Sequence, residues 1–97
     1  STRGDTIQNV YTVKIVNKTS RNFNNLKIDL ISNTGKINVL GGAINVPENG
    51  LSEQTLFINI HKKDLMKSKE DIEIGIYQEG KLVETTTTSF PSPVRFD

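Results

Sequence analysis

Few side chains in this sequence could carry out chemistry, and they lie far apart along the chain. His61 is the single histidine, and there is no cysteine. Acid–base or nucleophilic catalysis by His61 needs an adjacent nucleophile or an orienting carboxylate. The sequence offers only Asp64, three residues further on in a lysine-rich segment. We therefore predict no catalytic residue and no enzymatic activity.

Metal and cofactor ligands are equally scarce. His61 and Met66 could bind a soft metal ion, but tight sites take three or four well-placed ligands, and no thiolate is available. The acidic residues between positions 70 and 73 lack the spacing of a calcium loop. Gly41-Gly42 lacks the loop-then-helix context of a phosphate-binding motif. We predict no metal-binding or cofactor-binding residue, no cofactor and no small-molecule ligand.

The charge balance excludes one further class of partner. The chain has 12 basic and 11 acidic residues, a net charge of +1, so it produces no strong field that would attract nucleic acid. Its densest basic run, from His61 to Lys69, is interrupted by Asp64. We predict a protein partner, or other domains of the same parent protein, and no nucleic acid.

Two three-residue motifs match known signals. Arg3-Gly4-Asp5 matches a cell-adhesion tripeptide, and Asn17-Lys18-Thr19 matches the N-glycosylation acceptor pattern. Matches this short are common by chance, and the same residue types are ordinary turn formers. We interpret both motifs as turns. We also expect a loop from Lys18 to Asn25, with the Asn17 side chain bonded to nearby backbone at its entry.

Hydrophobic alternation with a period of two predicts the elements that position these residues. It predicts strands over 7–17, 26–32, 36–40, 43–46, 53–60, 71–78 and 81–90, with a helical turn possible only within 61–70. Glu79-Gly80 is a two-residue hairpin loop by its composition. About seven strands in a chain of 97 residues predict one all-β domain over 1–97, an immunoglobulin-like antiparallel β-sandwich. Its core is predicted to include Tyr11 or its neighbours Val13 and Ile15, with Leu26, Ile28, Leu30, Leu56, Ile58, Ile72, Ile74 and Ile76.

The last predicted strand carries a run of four threonines, Thr85 to Thr88. Since side chains alternate across a strand, at least one of the pairs Thr85/Thr87 and Thr86/Thr88 should face water. An exposed strand with small hydroxyl groups and few charges can pair with a strand of another protein. The alternative is a solvated strand with high β propensity and no partner.

The segment from Asn9 to Thr19 has a more specific pattern. It reads N-x-Y-x-x-K-x-x-N-K-T, which resembles the first strand and turn of the C-terminal immunoglobulin-like domain of FixG/CcoG/RdxA-type cytochrome c oxidase accessory proteins of bacteria. The later order is also similar: short strands, a Gly-rich break, a strand like 54–60, and a final hairpin ending in Ser89-Phe90-Pro91.

The resemblance implies a cellular location and a pathway, and it assigns a function to no residue of this chain. Such parent proteins have a membrane-embedded part and ferredoxin-like Cys motifs that bind 4Fe-4S clusters, and they serve cbb3-type oxidase assembly and copper handling. None of those motifs is in this chain, which starts at Ser1 and has no apolar run of membrane-spanning length. We therefore expect a docking or spacing domain excised from the C-terminal end of a larger bacterial inner-membrane protein, on the periplasmic side. The alternative is a bacterial cell-surface or adhesion β-sandwich module.

Overall fold

The structure, a computed structural model, describes residues 2–32 and 34–92. They form eight strands: β1 (Thr2–Arg3), β2 (Thr6–Val16), β3 (Phe23–Leu30), β4 (Lys36–Val39), β5 (Ile44–Val46), β6 (Leu51–His61), β7 (Lys69–Gln78) and β8 (Lys81–Pro91). One short 3-10 turn, Lys62–Asp64, lies in the segment where a helical turn was predicted. In the described part of the chain, no helix is long and apolar enough to cross a membrane.

The strands form two antiparallel four-stranded sheets that pack face to face. One sheet has the order β1-β2-β6-β4, and the other has the order β5-β3-β7-β8. The prediction of an immunoglobulin-like β-sandwich is confirmed. β2 and β6 pair without interruption over eleven residues, and β7 and β8 form the final hairpin. Glu79 and Gly80 both have positive φ, 51° and 79°, as a type I′ hairpin loop requires.

The core lies between the sheets and contains the predicted alternating residues. Most inward side chains of β3, β6 and β7 are buried. Half-buried side chains that pack against the rim of the core are Leu30 of β3 and Tyr11, Val13 and Ile15 of β2. β2 is less covered because it lies near the edge of its sheet. The core also extends beyond the predicted set. It includes Ile7, Ile44, Val46, Ile60, Leu65 and Phe90.

The predicted boundary between the loop after Asn17 and β3 is wrong. The loop expected from Lys18 to Asn25 ends earlier, because β3 begins at Phe23. Phe23 pairs with Val46 of β5, and the register shifts before the next pair, as in a β-bulge. Asn25 has a positive φ of 57°, which asparagine tolerates better than most residues. The two polar residues before Leu26 therefore belong to an irregular strand, although their composition is typical of a loop.

Candidate docking surface

Two strand edges on the same side of the sandwich have no neighbouring strand along most of their length. β8 ends its sheet, and β2 contacts the two-residue β1 only at Thr6 and Ile7, so the described chain leaves the edge of residues 9–16 uncovered. Side chains of β2 reach across to β8. The Tyr11 hydroxyl donates to the Ser89 carbonyl at 2.9 Å, and Asn9 Nδ2 donates to the Pro91 carbonyl at 2.7 Å.

The hydrogen bond of Tyr11 connects the two sheets near the middle of this side. Burial against the core raises the pKa of its phenol above the ordinary value, and the side-chain hydrogen bond with Asn9 opposes that shift. A phenol is protonated at neutral pH even at its ordinary pKa, so the hydroxyl is the donor to the Ser89 carbonyl. Towards the tip of the β7–β8 hairpin the sheets are more open, and the inward residues Glu84 and Thr86 are exposed to water.

The opening forms a groove between the edges of β2 and β8, which we call the edge groove. Its volume is about 430 Å³. The floor is apolar, with Leu26 and Ile76 buried and Ile15 and Phe23 half-buried. The complete lining is Lys14, Ile15, Val16, Phe23, Leu26, Ile76, Gln78, Val83 and Glu84. This groove could not be predicted from local sequence patterns, because four separate strands contribute to it.

The threonine run lies on the edge strand β8, as the docking hypothesis requires. Thr85 and Thr87 are opposite Gly75 and Glu73 and point outward, and both are exposed. The prediction that at least one pair faces water is therefore confirmed. The other pair points inward, where Thr86 is still exposed and Thr88 is half-buried. The outward pair leaves the edge accessible and adds no charge to it.

Asn17 forms a buried polar node next to one end of the edge groove. Its side chain is 1% exposed. Nδ2 donates to the carbonyls of Arg21 (2.6 Å) and Val46 (3.2 Å), and Oδ1 accepts from the Thr19 amide (2.9 Å) and hydroxyl (2.6 Å). The expected bonding of Asn17 to nearby backbone is confirmed. Since both Nδ2 hydrogens are used and the side chain is buried, the Asn17 motif is structural in the folded domain.

The other sequence motifs lie at the opposite end of the molecule. Arg3-Gly4-Asp5 spans the tight turn between β1 and β2, which confirms its interpretation as a turn. His61 Nδ1 accepts a hydrogen bond from the Lys63 amide at 3.4 Å, and Met66 is 77% exposed. Among the residues that the structure describes, no cluster of three or more His, Asp or Glu side chains could hold a metal ion.

We expect the purified domain to bind neither Cu⁺ nor Cu²⁺ tightly. The physical reason is the poverty of ligands around His61, since tight sites need three or four groups in fixed positions. Competition titration against a chelator of known affinity measures this, with His61→Ala as the matched variant. A one-to-one submicromolar copper complex that disappears in His61→Ala would contradict the prediction.

Comparison with known proteins adds one finding. The family model described as "IG-like fold at C-terminal of FixG, putative oxidoreductase" matches residues 1–93. No protein with a curated description matches the chain. The matched range includes every strand that the structure describes, and with them the edges of β2 and β8 and the Asn17 node.

Proposed function

Because the chain belongs to the family of immunoglobulin-like domains at the C-terminal end of FixG, we propose that it is a non-catalytic docking or spacing domain of a FixG-like protein. In this proposal the parent is anchored in the bacterial inner membrane and binds 4Fe-4S clusters, and the domain lies on the periplasmic side. Its partner is a protein or another domain of the parent, in the pathway of cbb3-type oxidase assembly and copper handling.

The unpaired edge of β8 is the observation that carries the docking role. This strand runs for eleven residues at the end of its sheet. Near its C-terminal end the Ser89 and Pro91 carbonyls already accept hydrogen bonds from side chains of β2. The backbone groups along the threonine run are therefore the part of the outer edge that can accept an added strand. Natural edge strands are commonly protected by charged side chains or bulges. On β8 the charges, Lys81 and Glu84, and the register shift all lie near the hairpin tip, and the threonine run beyond them is uncharged.

A non-catalytic role agrees with the chemistry of the surface. The edge groove is lined by apolar side chains and three polar or charged ones, Lys14, Gln78 and Glu84, and the adjacent edge of β8 carries the threonine run. Such a lining suits strand pairing and apolar contact better than acid–base catalysis. The family match favours this assignment over a cell-surface or adhesion module, which is the alternative from sequence.

Introducing Thr85→Lys and Thr87→Lys together into the full-length parent tests the docking role. Both side chains are exposed and point outward, so unfolding free energy should change by less than about 0.5 kcal/mol per site. Charged lysines on an edge strand oppose the addition of another strand. We therefore expect less assembled oxidase in membranes, measured by its haem absorbance and activity against the amount of parent protein.

The matched control adds the same charge elsewhere. Asn24 and Asn38 are exposed on β3 and β4, so Asn24→Lys with Asn38→Lys should leave assembly at the wild-type level. Full assembly in the threonine double variant would contradict the proposal. An equal loss in both double variants would also contradict it, because the effect would then follow net charge and not the β8 edge.

A further inference from the structure

The pairing of β1 with β2 sets the path of the chain that leads into this domain. Thr2 is opposite Ile7 and Arg3 is opposite Thr6, in antiparallel register. β1 lies on the side of β2 that faces away from β6. A chain that continued β1 backwards in this register would therefore run along the uncovered edge of β2, towards Val16.

That edge has little of the usual protection against strand addition. Between positions 9 and 16 the only charged residue is Lys14, and there is no proline. The pairing with β6 continues without a bulge over the whole of β2, so the edge is long and regular. An edge with these properties is a template for another strand.

The edge groove lies where the inward side chains of such a strand would point. Continuing the β1 register places the fifth and seventh residues before Ser1 opposite Val13 and Ile15. Paired residues of antiparallel strands project to the same face, and Val13 and Ile15 pack against the core. The two upstream side chains would thus lie over the apolar floor formed by Phe23 and Leu26, in a space of about 430 Å³.

We propose that the segment of the parent chain immediately before Ser1 forms an antiparallel edge strand on β2 and seats two apolar side chains in the edge groove. The proposal rests on the proposed function, because it takes the domain as the C-terminal part of a longer chain. The continuity of β1 with this edge favours the parent's own segment over a second copy or a separate protein. The strand would fix the domain rigidly against the part of the parent that precedes it, and the edge of β8 would stay available for a partner.

Hydrogen exchange in the full-length parent, solubilised in detergent, tests the inference. Two neighbouring residues of β8 provide matched variants, because Val83 and Leu82 are 53% and 50% exposed. Val83 lines the edge groove. Leu82 lies on the outer face, where a Cβ on Gly75 would be 2.9 Å from Leu82 Cδ1.

We expect alternate amides of residues 9–16 to be protected in the parent. Val83→Lys should speed their exchange at least 10-fold. Asp at both the fifth and seventh positions before Ser1 should do the same, because each change places a further charge beside the apolar floor of the edge groove. Leu82→Lys should leave their exchange unchanged.

Three results would contradict the proposed edge strand on β2. They are unprotected β2 amides in the parent, equal effects of Val83→Lys and Leu82→Lys, and protection that rises with protein concentration, which would assign the edge to a second copy. Different data would refute the proposed function. An upstream gene sequence that encodes a signal peptide and repeated sandwich domains would refute the FixG-type parent, and the exchange comparison would still decide whether the preceding segment covers β2.

Discussion

Replacing Asn17 by Ala should lower the free energy of unfolding by roughly 3 kcal/mol. The substitution removes all four side-chain hydrogen bonds of a residue that is 1% exposed. It also leaves the Val46 carbonyl without the Asn17 donor in a buried setting, and an unmade buried hydrogen bond costs more than a formed one contributes. The backbone bond from the Asn17 amide to the Gly50 carbonyl, 2.8 Å long, should survive. Urea denaturation measures the loss.

Asn22 in the same loop is the control for Asn17. Its side chain is exposed and accepts a single hydrogen bond, from the Glu48 amide at 2.9 Å, so Asn22→Ala should cost less than about 1 kcal/mol. Equal stabilities of Asn17→Ala and the wild type would show that the node contributes nothing. Mass spectrometry of the protein from its native host gives a second readout, and a glycan on Asn17 would refute the structural role of the motif.

Phe90→Ala should cost about 3–5 kcal/mol. Phe90 is completely buried and is among the largest fully buried side chains. It lies near the end of β8, opposite Glu70 of β7, and its removal leaves a cavity that neighbouring strands cannot fill without breaking their pairing. Thermal and urea unfolding of the variant measure the effect.

A loss of that size is a large part of the stability of a domain this small, so Phe90→Leu gives a milder test. It should retain most of the apolar contact and lose about 1 kcal/mol. Phe57→Ala is the matched control, because Phe57 is half-buried on the outer face of β6, where it is paired with the exposed Val10. A cost for Phe57→Ala as large as that for Phe90→Ala would mean that burial does not determine the contribution of these rings.

The strands and their faces could be predicted from the sequence because side-chain alternation is a local property of an extended backbone. Alternation alone predicts that Ile72, Ile74 and Ile76 share a face, whatever element covers that face, and all three are buried. The hairpin loop at Glu79-Gly80 is equally local, since its two residues satisfy the positive φ of a type I′ turn.

Predictions from neighbouring residues were wrong where pairing or packing with distant residues outweighs the local amino-acid composition. Asn24 and Asn25 look like loop residues, yet they lie in β3 because Phe23 and Leu26 on either side of them pair with β5. Leu65 sits in a polar, lysine-rich segment and is nevertheless buried. Neither outcome follows from a window of neighbouring residues, because the partner strand or core contact lies far along the chain.

The sequence by itself determined that this is an all-β domain with few chemical groups, a threonine run on its last strand and a polar turn at Asn17. Only the tertiary structure decided that β8 ends a sheet, that most of β2 has an uncovered edge, and that an apolar groove lies between them. Alternation sets which way each side chain points from its own strand. Strand order depends on contacts among β2, β3, β7 and β8, which span most of the chain, and a free edge exists only once that order is established.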